Sequence, residues 1–178
     1  LWDLWRPLGA YCKMELLDFN TAEGKKVFWH SSAHLLGQAL ERVFGGYLCV
    51  GPPLADGGFY YDTAVERPIS SEDFDALNSV VRKIIAEKQP FERLVLSKTA
   101  AMEMFKYSKY KTELISKKVP DGGSCSVYRV GPLIDLCKGP HVPDSSRIKA
   151  FSVWKNSSAY WQGNAENDAL QRVYGMAH

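Results

Sequence analysis

The chain has 178 residues and a formal net charge of +2 at pH 7. Because 46% of its residues are hydrophobic and 24% are charged, it has enough apolar side chains for a buried core, which excludes a disordered or fibrous chain. The small net charge also excludes nucleic-acid binding through bulk positive charge, so any contact of this kind must be local.

The four cysteines form no Cys-x-x-Cys pair and follow no secretory leader, which predicts a reducing, cytoplasmic environment rather than a disulfide framework. No apolar run approaches the roughly 20 residues that span a bilayer, so we expect no membrane association. The sequence starts at Leu1 and stops shortly after "LQRVYG", and we expect it to be a piece of a longer chain.

The first half of the chain predicts two helices and two strands. "NTAEGKK", residues 20–26, is typical of a linker. Apolar residues then recur at helical spacing up to a Gly-Gly pair, which predicts a helix over about 29–44. "YLCVGPPLADGGFYYD", residues 47–62, predicts a strand, a turn and a strand. Residues 70–88 predict a second helix, capped by Ser70 or Ser71 and apolar on one face.

The second half predicts mainly strands. We expect a strand over 91–97, a short helix over 98–107 opened by Ser97, and a short closing helix over 164–176. Further strands are predicted over 111–119, 124–131, 133–137, 148–155 and 157–161. Two long helices among about seven strands, without strict alternation, indicate an α+β fold in which a mostly antiparallel sheet packs against the helices.

Two pairs of reactive side chains stand out. His30 and His34 lie four residues apart on the first predicted helix, and therefore on one face of it. Cys137 and His141 have the same spacing in "CKGPH", where the Gly-Pro step excludes a helix and predicts a tight turn. Each pair alone is also compatible with ordinary packing in the core. Together they predict a tetrahedral zinc set.

Other groups near these pairs suit a binding site. Asp135 shares a strand face with Cys137 and could hold an ammonium group, or it could be a surface carboxylate. Tyr60 and Tyr61 could stack on a nucleobase or belong to the core. "FKYSKYKTELISKK" interleaves lysines with tyrosines, which suits phosphate contact or a solvated face. The chain has no P-loop and no dinucleotide fingerprint, so neither ATP nor NAD chemistry is predicted.

The sequence resembles the amino-terminal editing domain of eukaryotic cytosolic threonyl-tRNA synthetases. The resemblance extends over residues 26–178, while residues 1–25 resemble the end of the ubiquitin-like domain that precedes editing. Alanyl-tRNA editing proteins share the two pairs but are more distant. "PLADGGFYYD" is one residue longer than the matching family stretch, which alters the approach to Tyr61. The resemblance is carried by "FWHSSAHLLGQALE", "CVGPPL", "GFYYD", "EKQPFERL", "MFKYSKYK", "VYRVGPLIDLCKGPHV", "NSSAYWQGN" and "LQRVYG".

The resemblance implies a module that hydrolyses the ester of seryl-tRNA(Thr) and spares threonyl-tRNA(Thr). A synthetic site cannot reject serine reliably, because one missing methyl group is worth only about 1–3 kcal/mol of discrimination. By the same resemblance, His30 orients the terminal ribose or a water, and Lys111 positions the hydrolytic water. Asp135 would pair with the seryl ammonium, and Tyr61 would support the terminal adenosine. The pocket would be lined by His34, Cys137 and His141. The wall that excludes the threonine methyl would be formed by Gly51, Pro52 and Pro53 and by the predicted strand over 133–137.

Spacing and resemblance disagree about metal. The spacing predicts zinc on His30, His34, Cys137 and His141, and alanyl-tRNA editing relatives use zinc there, but the resemblance implies that threonyl-type editing needs none. We expect no cofactor for editing, with ATP and zinc confined to the separate catalytic domain of a parent synthetase. The alternatives are a zinc-dependent aminoacyl-tRNA deacylase of the alanyl type and an inactive tRNA-binding module.

The resemblance also implies partners. The expected ones are the acceptor end of tRNA(Thr) carrying serine and the remaining domains of the parent synthetase. The parent would be a homodimer, whereas we expect this fragment to be monomeric, because the dimer contacts of the family lie elsewhere.

Overall fold

A computed structural model describes residues 1–54 and 57–178, in which four α-helices and seven strands are present. The helices are α1 (Ala22–Phe44), α2 (Phe74–Ala86), α3 (Lys98–Met104) and α4 (Lys109–Lys118). The strands are β1 (Tyr47–Leu48), β2 (Phe59–Ala64), β3 (Phe91–Ser97), β4 (Ser124–Val130), β5 (Leu133–Leu136), β6 (Phe151–Tyr160) and β7 (Ala169–Ala177). They form two antiparallel sheets, in the orders β1-β2-β7-β6 and β3-β4-β5. The α+β prediction is confirmed.

Helix α1 is longer than the sequence pattern predicted. It begins after Thr21, whose side-chain oxygen accepts a hydrogen bond from the backbone N–H of Gly24 at 3.0 Å. It ends at Gly45, which adopts the left-handed conformation and donates its N–H to the Glu41 carbonyl. The stretch "NTAEGKK" is therefore not a linker: it caps and starts the helix. The first turns are mainly polar, so they lack the apolar periodicity that marks the rest of α1.

Helix α1 lies at the centre of the molecule. All ten residues from 31 to 40 are buried, and the helix contacts α2, β2, β5 and β7. The main apolar core is contributed by α1, α2 and the four-stranded sheet, with the large buried side chains of Leu35, Leu36, Leu40, Phe59 and Leu77 among its members. Because α1 touches both sheets, its polar residues can meet side chains from either one.

Two other predictions are wrong. Residues 111–119 were expected to form a strand but belong mostly to α4, which Ser108 caps by accepting from the Lys111 N–H at 3.3 Å. The short Leu-Ile run imitated a strand, whereas the buried residues Lys111 and Ile115 follow helical spacing. Residues 164–176 were expected to form a helix, yet most of them lie in β7, which pairs with both β2 and β6.

Most of the remaining elements agree with the predictions. Strand β3 has the predicted bounds, and Ser97 caps α3. The two strands predicted between 148 and 161 are one continuous strand, β6. Ala55 and Asp56, part of the predicted turn and of the lengthened family stretch, lie outside the described residues. Within the described ranges, no helix combines the length and the apolar character needed to cross a membrane.

The cap of α1 provides a first prediction. Replacing Thr21 by alanine should lower the free energy of unfolding by about 1 kcal/mol, because the Gly24 N–H then loses its acceptor at the helix end. Thr21→Ser keeps an acceptor oxygen and should cost much less. Urea unfolding followed by circular dichroism measures both; equal stabilities of the alanine variant and the wild type would contradict a helix start at this residue.

Candidate functional site

The two pairs meet in one cluster. Helix α1 supplies His30 and His34, and the turn after β5 supplies Cys137 and His141; one ligand-type atom from each lies within 4.8 Å of the others. The Cys137 sulfur is 3.1 Å from His141 Nε2 and 3.5 Å from His30 Nε2. His30 is half-buried and the other three are buried, so His30 is the member of the cluster nearest to solvent.

A serine between the two histidines orients His141. The Ser31 hydroxyl donates to the Val27 carbonyl at 2.7 Å and accepts from the Val142 N–H at 3.1 Å. His141 Nδ1 lies 3.0 Å from the same oxygen. Since the hydroxyl has given its only proton to Val27, we assign the proton of this contact to Nδ1. His141 Nε2 then lies inside the cluster, beside the Cys137 sulfur. Sequence analysis missed Ser31, since nothing in "HSSAH" separates it from a helix-lining serine.

The carboxylate of Asp135 forms the second part of the site. One of its oxygens lies 2.5 Å from Lys111 Nζ; the other accepts from the Tyr61 hydroxyl and lies 3.3 Å from His34 Nδ1. Lys111 also donates to the Cys49 carbonyl at 2.9 Å. Because Asp135, Lys111 and His34 are each 3–4% exposed, these charges are shielded from water and hold one another in place.

The environment sets the charge of these groups. Burial disfavours a carboxylate, yet the positive charge of Lys111 and the contact with His34 hold the pKa of Asp135 well below its usual range. Burial also opposes a charge on His34, but its contacts with Asp135 and Cys137 raise its pKa to about 9. Against burial, the neighbouring histidines lower the pKa of the Cys137 thiol to about 3. Burial lowers the pKa of His141 to about 4.

The donor set fits a zinc ion. His34 Nε2 is buried and has no hydrogen-bond partner among the described residues, although its Nδ1 contacts Asp135. His141 has the same arrangement, with Nδ1 on Ser31 and Nε2 in the cluster. Histidine ligands of metals are typically held in this way by a second hydrogen bond. Three imidazole nitrogens and one sulfur are a usual ligand set for zinc, so the geometry agrees with the prediction from spacing.

The four residues predicted to contact substrate already contact other parts of the protein. Tyr61 is 1% exposed, so stacking of an adenosine on its ring would require its neighbours to move. A side chain on Gly51 would come within 2.3 Å of that ring, so this glycine supports Tyr61 from behind. Pro52 accepts a backbone hydrogen bond from Tyr60 at 3.3 Å. Asp135 already has three donors, so a substrate ammonium would have to displace one of them.

The lysine-rich stretch is partly neutralised. Lys106, Lys109 and Lys117 form exposed ion pairs with Glu103, Asp168 and Glu113, and Lys111 is buried in the site. The exposed Tyr107 lies over Tyr47, with ring centroids 6.5 Å apart. The stretch is therefore a solvated face with one buried lysine, Lys111, and only the family resemblance distinguished that lysine from its neighbours.

Comparison with known proteins identifies the relatives of this chain. Residues 125–174 match the family described as the threonyl and alanyl tRNA synthetase second additional domain. The chain is 57% identical over 178 residues to a probable threonine--tRNA ligase 1, cytoplasmic, of Dictyostelium discoideum. It is 54% identical over 192 residues to threonine--tRNA ligase, cytoplasmic, of Saccharomyces cerevisiae, and 52% identical over 178 residues to threonine--tRNA ligase 2, cytoplasmic, of Homo sapiens.

These alignments include 99% of this chain but only 25%, 26% and 22% of the respective relatives. The chain thus spans about a quarter of their length. The matched family segment contains Asp135, Cys137 and His141, whereas His30, His34 and Lys111 lie before it.

The low pKa of Cys137 can be measured directly. The far-ultraviolet thiolate absorbance of the wild type minus that of Cys137→Ser should be fully present at pH 7, persist on acidification, and disappear as the pH falls through about 3. The unfolded protein should show this difference only near the ordinary thiol pKa of 9.0. The protein is first treated with chelator. A folded-state transition near the ordinary value would contradict the described environment.

Proposed function

We propose that this chain hydrolyses the ester of mischarged seryl-tRNA(Thr) and spares threonyl-tRNA(Thr). Its resemblance to the editing domain of eukaryotic cytosolic threonyl-tRNA synthetases is confirmed and supports this proposal. The observation that carries the proposal is the joining of the His30–His34–Cys137–His141 cluster to the buried Lys111–Asp135 pair in one site. Nothing in that arrangement resembles a phosphate-binding or dinucleotide-binding loop. Hydrolysis of an ester needs neither.

The accessible side of the cluster supports a direction of approach. His30 is half-buried, while His34, Cys137 and His141 lie deeper. A terminal ribose therefore meets His30 first, and the aminoacyl group enters toward the deeper residues. His30 can then hold the 2′-hydroxyl or a water at the ester carbon, as a positioned imidazole does in general acid–base catalysis.

The deeper residues support the remaining roles. Lys111 is held by Asp135 and by the Cys49 carbonyl, so its ammonium group stays in one place and can orient the hydrolytic water. Asp135 fixes the lysine and His34, and is the carboxylate proposed for the seryl ammonium. The three buried cluster residues offer hydrogen-bonding atoms to the seryl hydroxyl and the water.

The proposed selectivity for serine over threonine rests on the polar groups of the cluster and on the close packing around it. The cluster offers imidazole and sulfur atoms that can contact the seryl hydroxyl, and an added methyl group must fit against buried neighbours that are already packed. We propose that Gly51, Pro52 and Pro53 exclude the threonine methyl group. Gly51 lies directly against the Tyr61 ring. A pocket that excludes a methyl through steric overlap can discriminate more strongly than one that only fails to bind it.

His30 is the most suitable residue for a mutational test, because it is the least buried member of the cluster. His30→Ala should lower the rate of seryl-tRNA(Thr) deacylation by about 10²-fold or more and leave the thermal unfolding temperature close to that of the wild type. Release of radiolabelled serine measures the rate. Threonyl-tRNA(Thr) serves as the substrate control and Lys106→Ala, an exposed site, as the matched control. An unchanged rate for His30→Ala would remove its proposed role.

Lys111→Ala must be interpreted together with its stability. Removing this lysine leaves the buried Asp135 charge without its main partner, and breaking a buried pair costs about 3–5 kcal/mol. Lys111→Arg keeps a positive charge and should be measured alongside Lys111→Ala.

No seryl-tRNA turnover by a folded wild type would favour the alternative of an inactive tRNA-binding module.

The zinc-dependent alanyl-type deacylase is the second candidate, and the unpartnered His34 Nε2 favours it. If zinc binds, His30, His34, Cys137 and His141 would hold it, and it would supply Lewis-acid activation of water if one of these four ligands were loose. Our proposal is editing without metal. Protein purified without added metal should contain far less than stoichiometric zinc by mass spectrometry, and chelator should leave seryl-tRNA(Thr) turnover unchanged. Stoichiometric zinc, with activity lost in chelator, would replace the first candidate by the second.

The proposed setting is a cytoplasmic parent synthetase, as the names of the relatives indicate for those proteins. In that setting the partners are the acceptor end of tRNA(Thr) and the remaining domains of the parent, since this chain corresponds to about a quarter of its relatives. We propose that the parent is a homodimer and that the fragment is monomeric.

A further inference from the structure

One carboxylate joins the amino-terminal segment, residues 1–19, to the site. An Asp3 oxygen accepts a hydrogen bond from the His141 backbone N–H at 2.9 Å, and its other oxygen accepts from the Tyr128 hydroxyl at 2.7 Å. These partners lie 138 and 125 positions away along the chain. Most of the segment is exposed, whereas Asp3 is half-buried. Asp3 is thus one of the few residues of the segment, with Arg6 and Phe19, that are not exposed.

The two partners of Asp3 control the turn that carries Cys137 and His141. The Tyr128 ring meets the His141 ring edge-to-face, with centroids 4.6 Å apart. The turn also passes directly over the phenol, since a side chain on Gly139 would come within 2.2 Å of the Tyr128 hydroxyl oxygen. Gly139 has a φ of +67°, a conformation that favours glycine. Asp3 thus holds both the backbone of His141 and the ring against which His141 packs.

The contact of Asp3 with His141 complements the contact that Ser31 makes with the same histidine inside the site. Ser31 holds His141 through Nδ1, and Asp3 holds it through the backbone. The two contacts together fix where His141 Nε2 lies relative to the Cys137 sulfur, 3.1 Å away. Burial and the neighbouring Asp3 raise the pKa of Tyr128, so its phenol remains a hydrogen-bond donor at neutral pH. Hydrogen bonds to a carboxylate are stronger than those to neutral acceptors, which suits Asp3 to this task.

We propose that Asp3 is a positioning residue of the editing site, acting on His141 and Cys137 through the His141 backbone and Tyr128. The inference rests on the proposed function. It makes the amino-terminal segment a working part of the editing unit, because the segment supplies a support that no other described residue gives to the His141 N–H. Asp3 touches no reacting atom itself.

The kinetic test uses Asp3→Ala, Asp3→Asn and, as the matched control, Glu15→Ala, which removes an exposed acid from the same segment. Asp3→Ala should lower kcat for seryl-tRNA(Thr) hydrolysis about 10- to 100-fold, because small displacements of a reacting group are costly, while KM stays within about twofold. Asp3→Asn keeps an oxygen acceptor for the His141 N–H and should recover part of the loss. Glu15→Ala should behave as the wild type.

A double-mutant cycle tests the route of the effect. Tyr128→Phe removes the hydroxyl alone and should give a smaller loss in kcat than Asp3→Ala. Since both changes interrupt one network, the loss in Asp3→Ala/Tyr128→Phe should be smaller than the product of the single losses. Independent, multiplicative losses would overturn the proposed route through Tyr128.

A readout that needs no activity separates this inference from the proposed function. Hydrogen exchange of the His141 amide, followed by NMR, should be faster in Asp3→Ala than in the wild type, with the Leu36 amide in α1 unchanged. An active wild type whose kcat and His141 exchange are unaffected in Asp3→Ala overturns the inference alone. A wild type with the protected His141 amide but no deacylase activity overturns the proposed function and, with it, the editing role of Asp3.

Discussion

The buried carboxylate of Asp135 is the interaction on which the rest of the site depends. It is reached by an ammonium, a phenol and an imidazole that come from α4, β2 and α1, so one carboxylate connects three separate elements. Burial of a charge is costly, and only a complete set of donors offsets that cost. The charged groups around Asp135 are therefore held in place by one another, without any bound ligand.

Much of the fold followed from local signals. Apolar spacing, a capping serine and turn residues placed β3, α2 and α3 close to where they lie, because each of these elements carries its own pattern. The predictions failed where tertiary context decided the outcome. Residues 111–118 have a weak pattern as a helix, and their burial is set by Lys111 reaching Asp135 on β5. Strand β7 is central in its sheet, and only its two neighbours make its polar residues suitable for a strand.

The residues of the site also fall into those that the sequence predicted and those that it did not. Spacing alone brought His30, His34, Cys137 and His141 together, since a helix and a Gly-Pro turn each place residues four apart on one side. The residues that orient them were beyond sequence reasoning. Ser31 acts on a histidine 110 positions away and Asp3 on one 138 positions away, and no local periodicity reports such contacts. Family resemblance predicted that Tyr61 supports the terminal adenosine, whereas its burial places its hydroxyl, rather than its ring face, beside Asp135.

The sequence separation of the parts also governs when the site can form. Lys111 and Asp135 are 24 residues apart, whereas His30 and Cys137 are 107 apart. Contacts between distant residues form slowly, because the chain entropy of the intervening loop must be lost first. The lysine–aspartate pair can close within a folding half-molecule, but the histidine–cysteine cluster exists only after α1 has docked against β5. The imidazoles and the thiol are thus joined by the longest-range contacts of the site, and the cluster is complete only where α1 packs against β5.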